Sequence, residues 1–337
     1  MRGEPGSSGN GGGRQPLVDI LLATYNGARY VQAQLDSLFA QTHANFRLLV
    51  SDDGSTDATV AIIREFARRQ ESGRLRWVPN PGAGRGPARN FETLMAASLA
   101  DGAARWALFC DQDDVWLPGK IECLVQAMTA LEGGDDALPC LVHSDLRVVD
   151  EHLDTIADSF IRQQRIEVSA MSLPVLLGVN HVTGCAMMVN RALLALALPL
   201  PPEAVMHDWW CALLSCQGRR RFVPDPLVLY RQHGANQVGA KSRTTGNRVL
   251  RALCEGPQTL RRVRWLGRKT LAQAQALRQR LRERGLDGSR IDDYLRWRGL
   301  SVWKRLADYR NYYKGPELDN LCRLLLWERQ NGADAGT

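Results

Sequence analysis

Three carboxylates end an apolar run in the sequence FCDQDD, at residues 109–114. Asp111, Asp113 and Asp114 repel one another and lose hydration at the end of a buried strand, which is costly unless a positive group lies among them. Mg²⁺ takes oxygen ligands and is commonly bound by one or two carboxylates together with the phosphates of a substrate. The pattern therefore predicts a divalent-metal and diphosphate site, with a solvated acidic turn before a helix as the alternative.

Two further polar segments follow apolar runs in the same way. TYN (24–26) follows LVDILLA (17–23), SDDGS (51–55) follows a second strand-like run, and apolar residues at helical spacing come after each of them. Strands that alternate with helices predict an α/β fold with an open, mostly parallel sheet. Because ligands bind such sheets outside the carboxyl ends of the strands, we expect the three polar segments to meet in one crevice.

Several side chains near these strand ends have both a binding and a structural interpretation. Asp52 and Asp53 could accept hydrogen bonds from a base or a ribose, but the turn before a helix is the favoured interpretation without further context. Tyr25 could stack on a nucleobase or cover the sheet edge. Arg89 could meet phosphate or base carbonyls, or be a surface helix arginine. The glycines of PGAGRG lack the position and spacing of a dinucleotide-binding loop.

A second group of candidates lies in HDWW and YRQHGAN. Asp208 stands at the start of an apolar helix, where a carboxylate is either an N-cap or a partly buried general base for a hydroxyl group. Trp209 and Trp210 lie about 100° apart on that helix, so at most one is expected in the core, and the other could line a sugar pocket. His233 could contact a metal or phosphate from its loop, or be solvated.

The composition of the chain gives no indication of export or of a membrane-spanning segment. The first sixteen residues are rich in glycine and lack the apolar segment of a secretory signal, which predicts a disordered tail. The eight cysteines form no CxxC pair and indicate buried or incidental thiols in a reducing compartment, so we expect a cytoplasmic protein. Its longest late apolar stretch is too short and too interrupted by prolines to cross a membrane.

The net charge of +7 is concentrated late in the chain. Residues 241–314 contain 20 Lys and Arg against 6 Asp and Glu, interleaved with Trp and Tyr. This composition fits a helix that lies on an anionic membrane surface. Nucleic-acid binding is the rival interpretation, but the stretch has no nucleic-acid-binding motif and we expect no nucleic-acid partner. A solvated helical subdomain packed on the rest of the protein is the structural alternative.

Five separated motifs resemble one enzyme family. LLATYNGARYVQAQLDSL, VSDDGSTD, FCDQDDVW, HDWW and YRQHGAN, in this order, are similar to the bacterial inverting nucleotide-sugar glycosyltransferases of family 2, which have the GT-A fold. The resemblance implies a GT-A domain at 17–240, between the tail at 1–16 and a basic helical region at 241–337. Within the family, HDWW followed by YRQHGANQVGA looks most like rhamnosyltransferases that use dTDP-L-rhamnose in cell-surface polysaccharide synthesis.

The resemblance also implies roles for particular residues. Together with the residue types, it predicts that the nucleotide sugar is bound by Thr24, Tyr25, Asp52, Asp53, Arg89, Asp111 and Trp209. Mg²⁺ or Mn²⁺ is expected on Asp111, Asp113 and His233. Asp208 takes the place of the catalytic base, and Gly184 with Cys185 falls on the acceptor side. His207 stands where many relatives have Glu, and the QxxRW motif of processive synthases is missing, so that addition of one sugar or very few is expected.

The predicted function is therefore metal-dependent transfer of a sugar to a hydroxyl of a glycan or a lipid-linked glycan. Another UDP- or GDP-sugar could replace dTDP-L-rhamnose. A sugar-phosphate nucleotidyltransferase is a second possibility, but such enzymes normally have a Gly-rich, basic turn after the first strand, where ATYNGAR has a single glycine. A noncatalytic nucleotide-sugar-binding module is a third, and it would have no need for Asp208.

Overall fold

The computed structural model describes residues 15–70, 73–168, 171–234 and 256–307. The strands are β1 (Val18–Thr24), β2 (Phe46–Asp52), β3 (Leu75–Trp77), β4 (Trp106–Cys110), β5 (Val115–Trp116), β6 (Cys140–Val149), β7 (Thr155–Ala157), β8 (Met187–Asn190) and β9 (Arg219–Arg231). The helices are α1 (Val31–Phe39), α2 (Thr59–Arg69), α3 (Pro87–Asp101), α4 (Lys120–Glu132), α5 (Phe160–Gln163), α6 (Leu173–Gly178), α7 (Arg191–Ala197), α8 (His207–Leu214), α9 (Gly256–Glu283), α10 (Ser289–Gly299) and α11 (Val302–Ala307).

One sheet runs through the described part of the chain, in the order β3-β2-β1-β4-β8-β6-β9-β5, with β7 paired to β6. The first four strands are parallel, as predicted from their alternation with helices. The second half is mixed, because β8 is antiparallel to both β4 and β6, and β5 is antiparallel to β9. The α/β prediction with an open, mostly parallel sheet is confirmed for the half that carries the first three polar segments.

Apolar side chains cover both faces of this sheet. Along β1, Ile20 and Leu22 pack in one core with α1 and α2, whereas Leu21 packs in a second core with α3. Successive residues of a strand point to opposite faces, so a strand that is buried on both faces needs a continuous apolar run. The two cores therefore fix the strand ends from which the polar segments project.

One predicted strand is shorter than expected. HVTGCAMMVN (181–190) predicted a strand over its full length, but β8 begins at Met187. Gly184–Ala186 forms a 3₁₀ turn instead. The backbone N–H of Gly184 bonds to the side chain of Asp208 and not to a neighbouring strand, so a tertiary contact overrides the local strand preference.

The basic C-terminal region packs against the sheet domain where it is described. Arg280 of α9 donates to the backbone carbonyls of Leu196 and Pro199, at 2.7 and 2.6 Å. The predicted break near 285–289 is confirmed, since it separates α9 from α10. The predicted domain boundary at 240/241 and most of the predicted tail lie outside the described residues, although Gln15 bonds to the loop before β2.

Candidate active site

The ends of β1 and β2 are joined side by side. Thr24 and Asp52 are register partners, and Thr24 Oγ1 donates to Asp52 Oδ1 at 2.8 Å. Asn90, in the first turn of α3, donates through Nδ2 to the carbonyl oxygen of Ser51 at 2.9 Å and to that of Thr24 at 3.3 Å. The structure thus brings two predicted nucleotide contacts together and adds Asn90, which the sequence reasoning missed, as the side chain that fixes them.

Gln112 connects the first and third polar segments. Its Oε1 accepts the backbone N–H of Tyr25 at 2.8 Å, and its Nε2 donates to the backbone carbonyl of the same residue at 2.8 Å. A Cβ atom on Gly27 would lie 2.2 Å from this amide, so the close approach requires glycine there. The Tyr25 side chain is 51% exposed, which leaves its ring accessible at the sheet edge.

Asp52 and Asp53 both organise loops. Asp52 Oδ2 accepts the N–H of Ser55 at 2.7 Å, as in the favoured turn interpretation. Asp53 is buried and accepts the N–H groups of Gly84 and Gly86, at 2.8 and 2.9 Å, through its two carboxylate oxygens. The PGAGRG loop, which has no dinucleotide-binding spacing, is thereby held beside the end of β2. No signal in the sequence pointed to this pairing.

Arg89 makes tertiary contacts near the start of α3. Its Nη1 donates to Glu92 at 2.6 Å and to the backbone carbonyl of Leu200 at 2.8 Å. The side chain therefore links α3 to the segment that follows α7. A nucleotide contact from Arg89 stays a prediction, and it would have to share or replace these two partners.

The acidic segment is a cluster of carboxylates with strongly perturbed protonation. Ligand atoms of Asp111, Asp114 and Cys185 lie within 4.8 Å of one another. Burial, followed by the charges of Asp113 and Asp208, raises the pKa of Asp111 to about 7. Burial and the neighbouring aspartates raise the pKa of Asp114 well above its usual range. Both shifts arise first from burial, with repulsion between the carboxylates as the next contribution.

The end of β9 closes one side of the acidic cluster. His233 Nε2 lies 2.8 Å from Asp113 Oδ2, and its ring packs on that of Tyr30 with 4.7 Å between centroids. The backbone N–H of Arg231 donates to Asp114 Oδ1 at 3.1 Å. The structure therefore brings His233 to Asp113, one of the two predicted metal carboxylates, and its role as a metal ligand stays a prediction.

Asp208 lies in the first turn of α8. Its Oδ2 accepts the N–H of Gly184 at 3.1 Å and its Oδ1 accepts the N–H of Trp209 at 2.5 Å. Burial raises its pKa to about 6, although these hydrogen bonds act in the opposite direction. The N-cap of α8 is Met206, so the interpretation of Asp208 as an N-cap is wrong. The carboxylate is fixed by two N–H groups and is close enough to Asp111 to raise its pKa.

Both tryptophans of HDWW are in the core. Trp209 and Trp210 are 6% and 0% exposed, and the prediction that at most one would be buried is wrong. Their indole N–H groups donate to the backbone carbonyls of Leu176 at 2.6 Å and Ala197 at 3.0 Å. Because α3, α6 and α7 all contact α8, more than one face of this helix is buried. A sugar contact from Trp209 stays a prediction.

The 3₁₀ turn with the predicted acceptor-side residues lies next to a buried histidine. His207 packs against the rings of Phe91 and Phe109, at centroid distances of 3.9 and 4.9 Å, and burial lowers its pKa to about 3, so the ring is neutral. A Cβ atom on Gly184 would lie 3.0 Å from His207 Nε2. The predicted acceptor residues Gly184 and Cys185 are therefore next to both Asp208 and the acidic cluster.

Comparison with known proteins identifies the family. The family model described as Glycosyl transferase family 2 matches residues 19–195, more than half of the chain. The chain belongs to glycosyltransferase family 2. The matched span of this family 2 member includes the three polar strand ends and the acceptor-side turn, whereas Asp208 and His233 lie beyond it.

Curated relatives of this family 2 chain have different sugar specificities. An uncharacterized glycosyltransferase of Nostoc sp. is 26% identical over 238 residues, covering 68% of this chain and 69% of the relative. The dTDP-rhamnosyl transferase RfbG of Shigella flexneri is 25% identical over 228 residues, covering 65% and 74%. The UDP-Glc:alpha-D-GlcNAc-diphosphoundecaprenol beta-1,3-glucosyltransferase WfgD of Escherichia coli is 34% identical over 113 residues, but this covers 33% of this chain and 41% of WfgD.

Solved structures share the GT-A-like fold. TarS (residues 1–349) of S. aureus, solved in complex with UDP-GlcNAc, has a TM-score of 0.52 at 16% identity, covering 92% of this chain and 79% of that one. The mannosyltransferase PcManGT from Pyrobaculum calidifontis, in complex with GDP-Man and Mn²⁺, has a TM-score of 0.52 at 17% identity, covering 91% and 79%. The predicted fold class is confirmed.

The basic helices present charged and aromatic groups to solvent. In α9, Arg264 and Arg268 are exposed and Trp265 is 49% exposed, while Trp303 of α11 is 80% exposed. Trp297, also predicted to face the membrane, is buried in the core, so that part of the prediction is wrong. Tyr309, Tyr312 and Tyr313 of the predicted membrane-facing stretch lie outside the described residues. Among the described helices, none is both long and apolar enough to cross a bilayer.

Proposed function

We propose that this family 2 glycosyltransferase moves one sugar from a nucleotide diphosphate sugar to an acceptor hydroxyl, with inversion at the anomeric carbon. The observation that carries the proposal is the proximity of two acidic groups, Asp208 and Asp111. Asp208 is held by two N–H groups and has a pKa of about 6, and its charge raises the pKa of Asp111 in the acidic strand end. Asp208 suits proton transfer, and Asp111 suits binding of a cation that also binds phosphate.

Asp208 acts as the general base. With a pKa of about 6 it is ionised at neutral pH, yet it is basic enough to take a proton from a hydroxyl as that oxygen forms its new bond. The acceptor oxygen bonds to the anomeric carbon, the bond from that carbon to the diphosphate breaks on the opposite face, and Asp208 keeps the proton. The N–H groups of Gly184 and Trp209 hold the carboxylate in place during this step.

The acidic strand end fits a divalent cation. Its donors are carboxylate oxygens, which Mg²⁺ and Mn²⁺ prefer. Burial, followed by the charges of Asp113 and Asp208, raises the pKa of Asp111 to about 7, and a bound cation would offset this penalty on the carboxylate. Asp111 and Asp113 would hold the ion, with His233 next to Asp113. When bound, such an ion neutralises charge on a departing diphosphate. The Mn²⁺ in the structure of the mannosyltransferase PcManGT supports this assignment by analogy of fold.

The donor that we propose is dTDP-L-rhamnose. The similarity to RfbG and the HDWW and YRQHGAN motifs support it, while the similarity to WfgD supports a UDP-sugar as the alternative. Thr24, Tyr25 and Asp52 would surround the base and ribose. The test is a thermal shift titration with dTDP, UDP and GDP, each with and without Mn²⁺, because a ligand that binds the folded state raises its stability. Metal-dependent stabilisation by dTDP alone is the expected result.

Turnover is then tested with the nucleotide sugar whose nucleotide stabilises the protein. Donor consumption should stop in the Asp208→Asn variant, while its nucleotide-induced thermal shift is retained. An Asp208→Asn variant that consumes the donor at the wild-type rate would refute the assignment of the base. Nucleotide binding without any donor consumption by the wild type would indicate the noncatalytic module, and formation of a nucleotide sugar from a sugar phosphate would indicate the nucleotidyltransferase.

The acceptor that we propose is a glycan carried on a membrane lipid, used at the inner face of the cell membrane. The exposed Arg264, Trp265, Arg268 and Trp303 support contact with anionic lipid. The same α9 helix reaches the active-site region, since Gln273 accepts the N–H of Val205 at 2.8 Å, three residues before the base. A membrane-bound acceptor would then be delivered on the side of the acceptor turn.

Vesicle flotation tests the membrane contact. The protein should float with phosphatidylglycerol vesicles at low salt and not with phosphatidylcholine vesicles, and the Trp265→Ala/Trp303→Ala variant should lose most of this binding. Arg69→Ala, on the exposed side of α2, is the matched control. Equal recovery with both lipids, or binding to an oligonucleotide but not to anionic vesicles, would contradict the proposal.

A further inference from the structure

A buried lysine lies at an electrostatically unfavourable place. Lys120 is the first residue of α4 and has no exposed surface. A cation at a helix N-terminus opposes the helix dipole, and burial of an ammonium group costs hydration. Burial lowers the pKa of Lys120 to about 8. Neither helix formation nor packing explains why a lysine occupies this position. The explanation must therefore lie in the groups around its ammonium group.

The contacts of the ammonium group connect Lys120 to the turn that holds Asp208. Nζ donates to the backbone carbonyl of Cys185 at 2.5 Å and lies 3.2 Å from the centroid of the Trp116 ring. The adjacent residue of the same turn, Gly184, donates its N–H to the base Asp208. Lys120 therefore supports the turn that orients the base.

The ammonium group also acts on the acidic cluster. Cys185, whose carbonyl accepts from Lys120, has its thiol within 4.8 Å of ligand atoms of Asp111 and Asp114. The charges of these aspartates raise the pKa of Lys120, and Lys120 lowers that of Asp111. Arg231 and His233 also border this cluster. Arg231 donates through Nε to the backbone carbonyl of Asp113 at 2.8 Å, and His233 bonds to the Asp113 carboxylate. These two lie on the Asp113 side, whereas Lys120 acts on Asp111 and Asp114.

We propose that Lys120 is a fixed counter-charge that weakens binding of a divalent ion alone and strengthens binding of the nucleotide diphosphate with its ion. The physical reason is the sign of the net charge. A divalent ion is repelled by the ammonium group, but a nucleoside diphosphate with one divalent ion is a net anion and is attracted. Ion and nucleoside diphosphate would then leave the site together. The inference rests on the metal site proposed above.

Two affinities of the Lys120→Met variant test this. Free Mn²⁺, measured by electron paramagnetic resonance without nucleotide, should bind on the order of tenfold more tightly than to the wild type. The affinity for the nucleotide that stabilises the wild type, dTDP or UDP, measured by calorimetry at saturating Mn²⁺, should fall on the order of tenfold. A lysine that only supports the fold would weaken both, so opposite signs are the signature of the counter-charge.

Controls separate charge from packing. Lys120→Arg keeps the charge, so its affinities for free Mn²⁺ and for the nucleotide should stay close to those of the wild type. Lys304→Met removes an exposed lysine of α11 and should change neither affinity. Lys120→Gln keeps a donor for the Cys185 carbonyl and should behave like Lys120→Met, and it decides the question if the methionine variant does not fold. A wild type that binds no Mn²⁺ even with nucleotide would overturn the metal site, and two affinities that move in the same direction would overturn the role of Lys120.

Discussion

Replacement of Asp208, the proposed base, by its uncharged isostere should make the protein more stable at neutral pH. The pKa of Asp208 is about 6 in the folded protein against 3.8 ordinarily, because burial disfavours the carboxylate. A shift of about 2 pKa units corresponds to about 3 kcal/mol of destabilisation when the group is ionised. Asp208→Asn removes this cost but leaves one of the two N–H donors, from Gly184 or Trp209, without its charged acceptor, a loss of about 1 kcal/mol. We expect a net gain of about 2 kcal/mol.

The contribution of Asp208 to the free energy of unfolding should change with pH in a defined direction. Since the folded pKa is raised, the destabilising contribution of Asp208 is fully present above about pH 6 and disappears as the pH falls through the ordinary value near 4. Urea unfolding at pH 4 to 8 should show the stability difference between Asp208→Asn and wild type rising from slightly below zero at pH 4, where the lost hydrogen bond outweighs the small ionisation cost, to about 2 kcal/mol at pH 7. The activity should fall at least a hundredfold over the whole range.

A second aspartate serves as the matched control with the opposite sign. Asp101 is bonded to Arg47 at 2.6 Å and to Arg76 at 2.5 Å, which lowers its pKa to about 2. Asp101→Asn should therefore destabilise the protein at neutral pH, and the difference should shrink toward pH 2. An Asp208→Asn variant that is less stable than the wild type at pH 7, or whose difference does not change with pH, would refute the burial argument.

Three further substitutions test the supports of the site. Trp209→Phe removes the hydrogen bond to the Leu176 carbonyl and should lower the free energy of unfolding by about 1 to 3 kcal/mol, measured by urea titration. Gly184→Ala places a methyl group 3.0 Å from His207 Nε2, so it should reduce turnover more than nucleotide affinity, measured by donor consumption and calorimetry. Asp53→Ala releases two glycine N–H groups of the PGAGRG loop and should weaken nucleotide binding in the thermal shift assay.

Each of these has its own control. Gly288→Ala adds a methyl group where no atom lies within 4 Å, so turnover should stay at the wild-type level. Trp210→Phe removes the equivalent bond to the Ala197 carbonyl and should cost a similar amount of stability. Unchanged stability in Trp209→Phe, or equal losses of turnover and nucleotide affinity in Gly184→Ala, would contradict the roles assigned to these side chains.

The sequence determined the strand ends and their meeting place. A strand that is buried on both faces is largely apolar, so LVDILLA, despite its buried and ion-paired Asp19, and the apolar runs before SDDGS and DQDD could be recognised without knowledge of any contact. Parallel strands carry their carboxyl ends to one edge, which is why Thr24 and Asp52 were expected together and are found in register. The motif order also predicted the family and the fold, because each motif is local.

The tertiary structure alone decided which groups surround those strand ends. The burial of both Trp209 and Trp210 depends on three helices that come from distant parts of the chain. Contacts between residues far apart in sequence also produce the 3₁₀ turn before β8 and the raised pKa of Asp208. The same holds for the hydrogen bond from Lys120 to the carbonyl of Cys185. Residue type and spacing determine which face of a segment can be buried. A pKa shift or a tertiary hydrogen bond depends instead on burial and neighbouring charges, which exist only after the elements have packed.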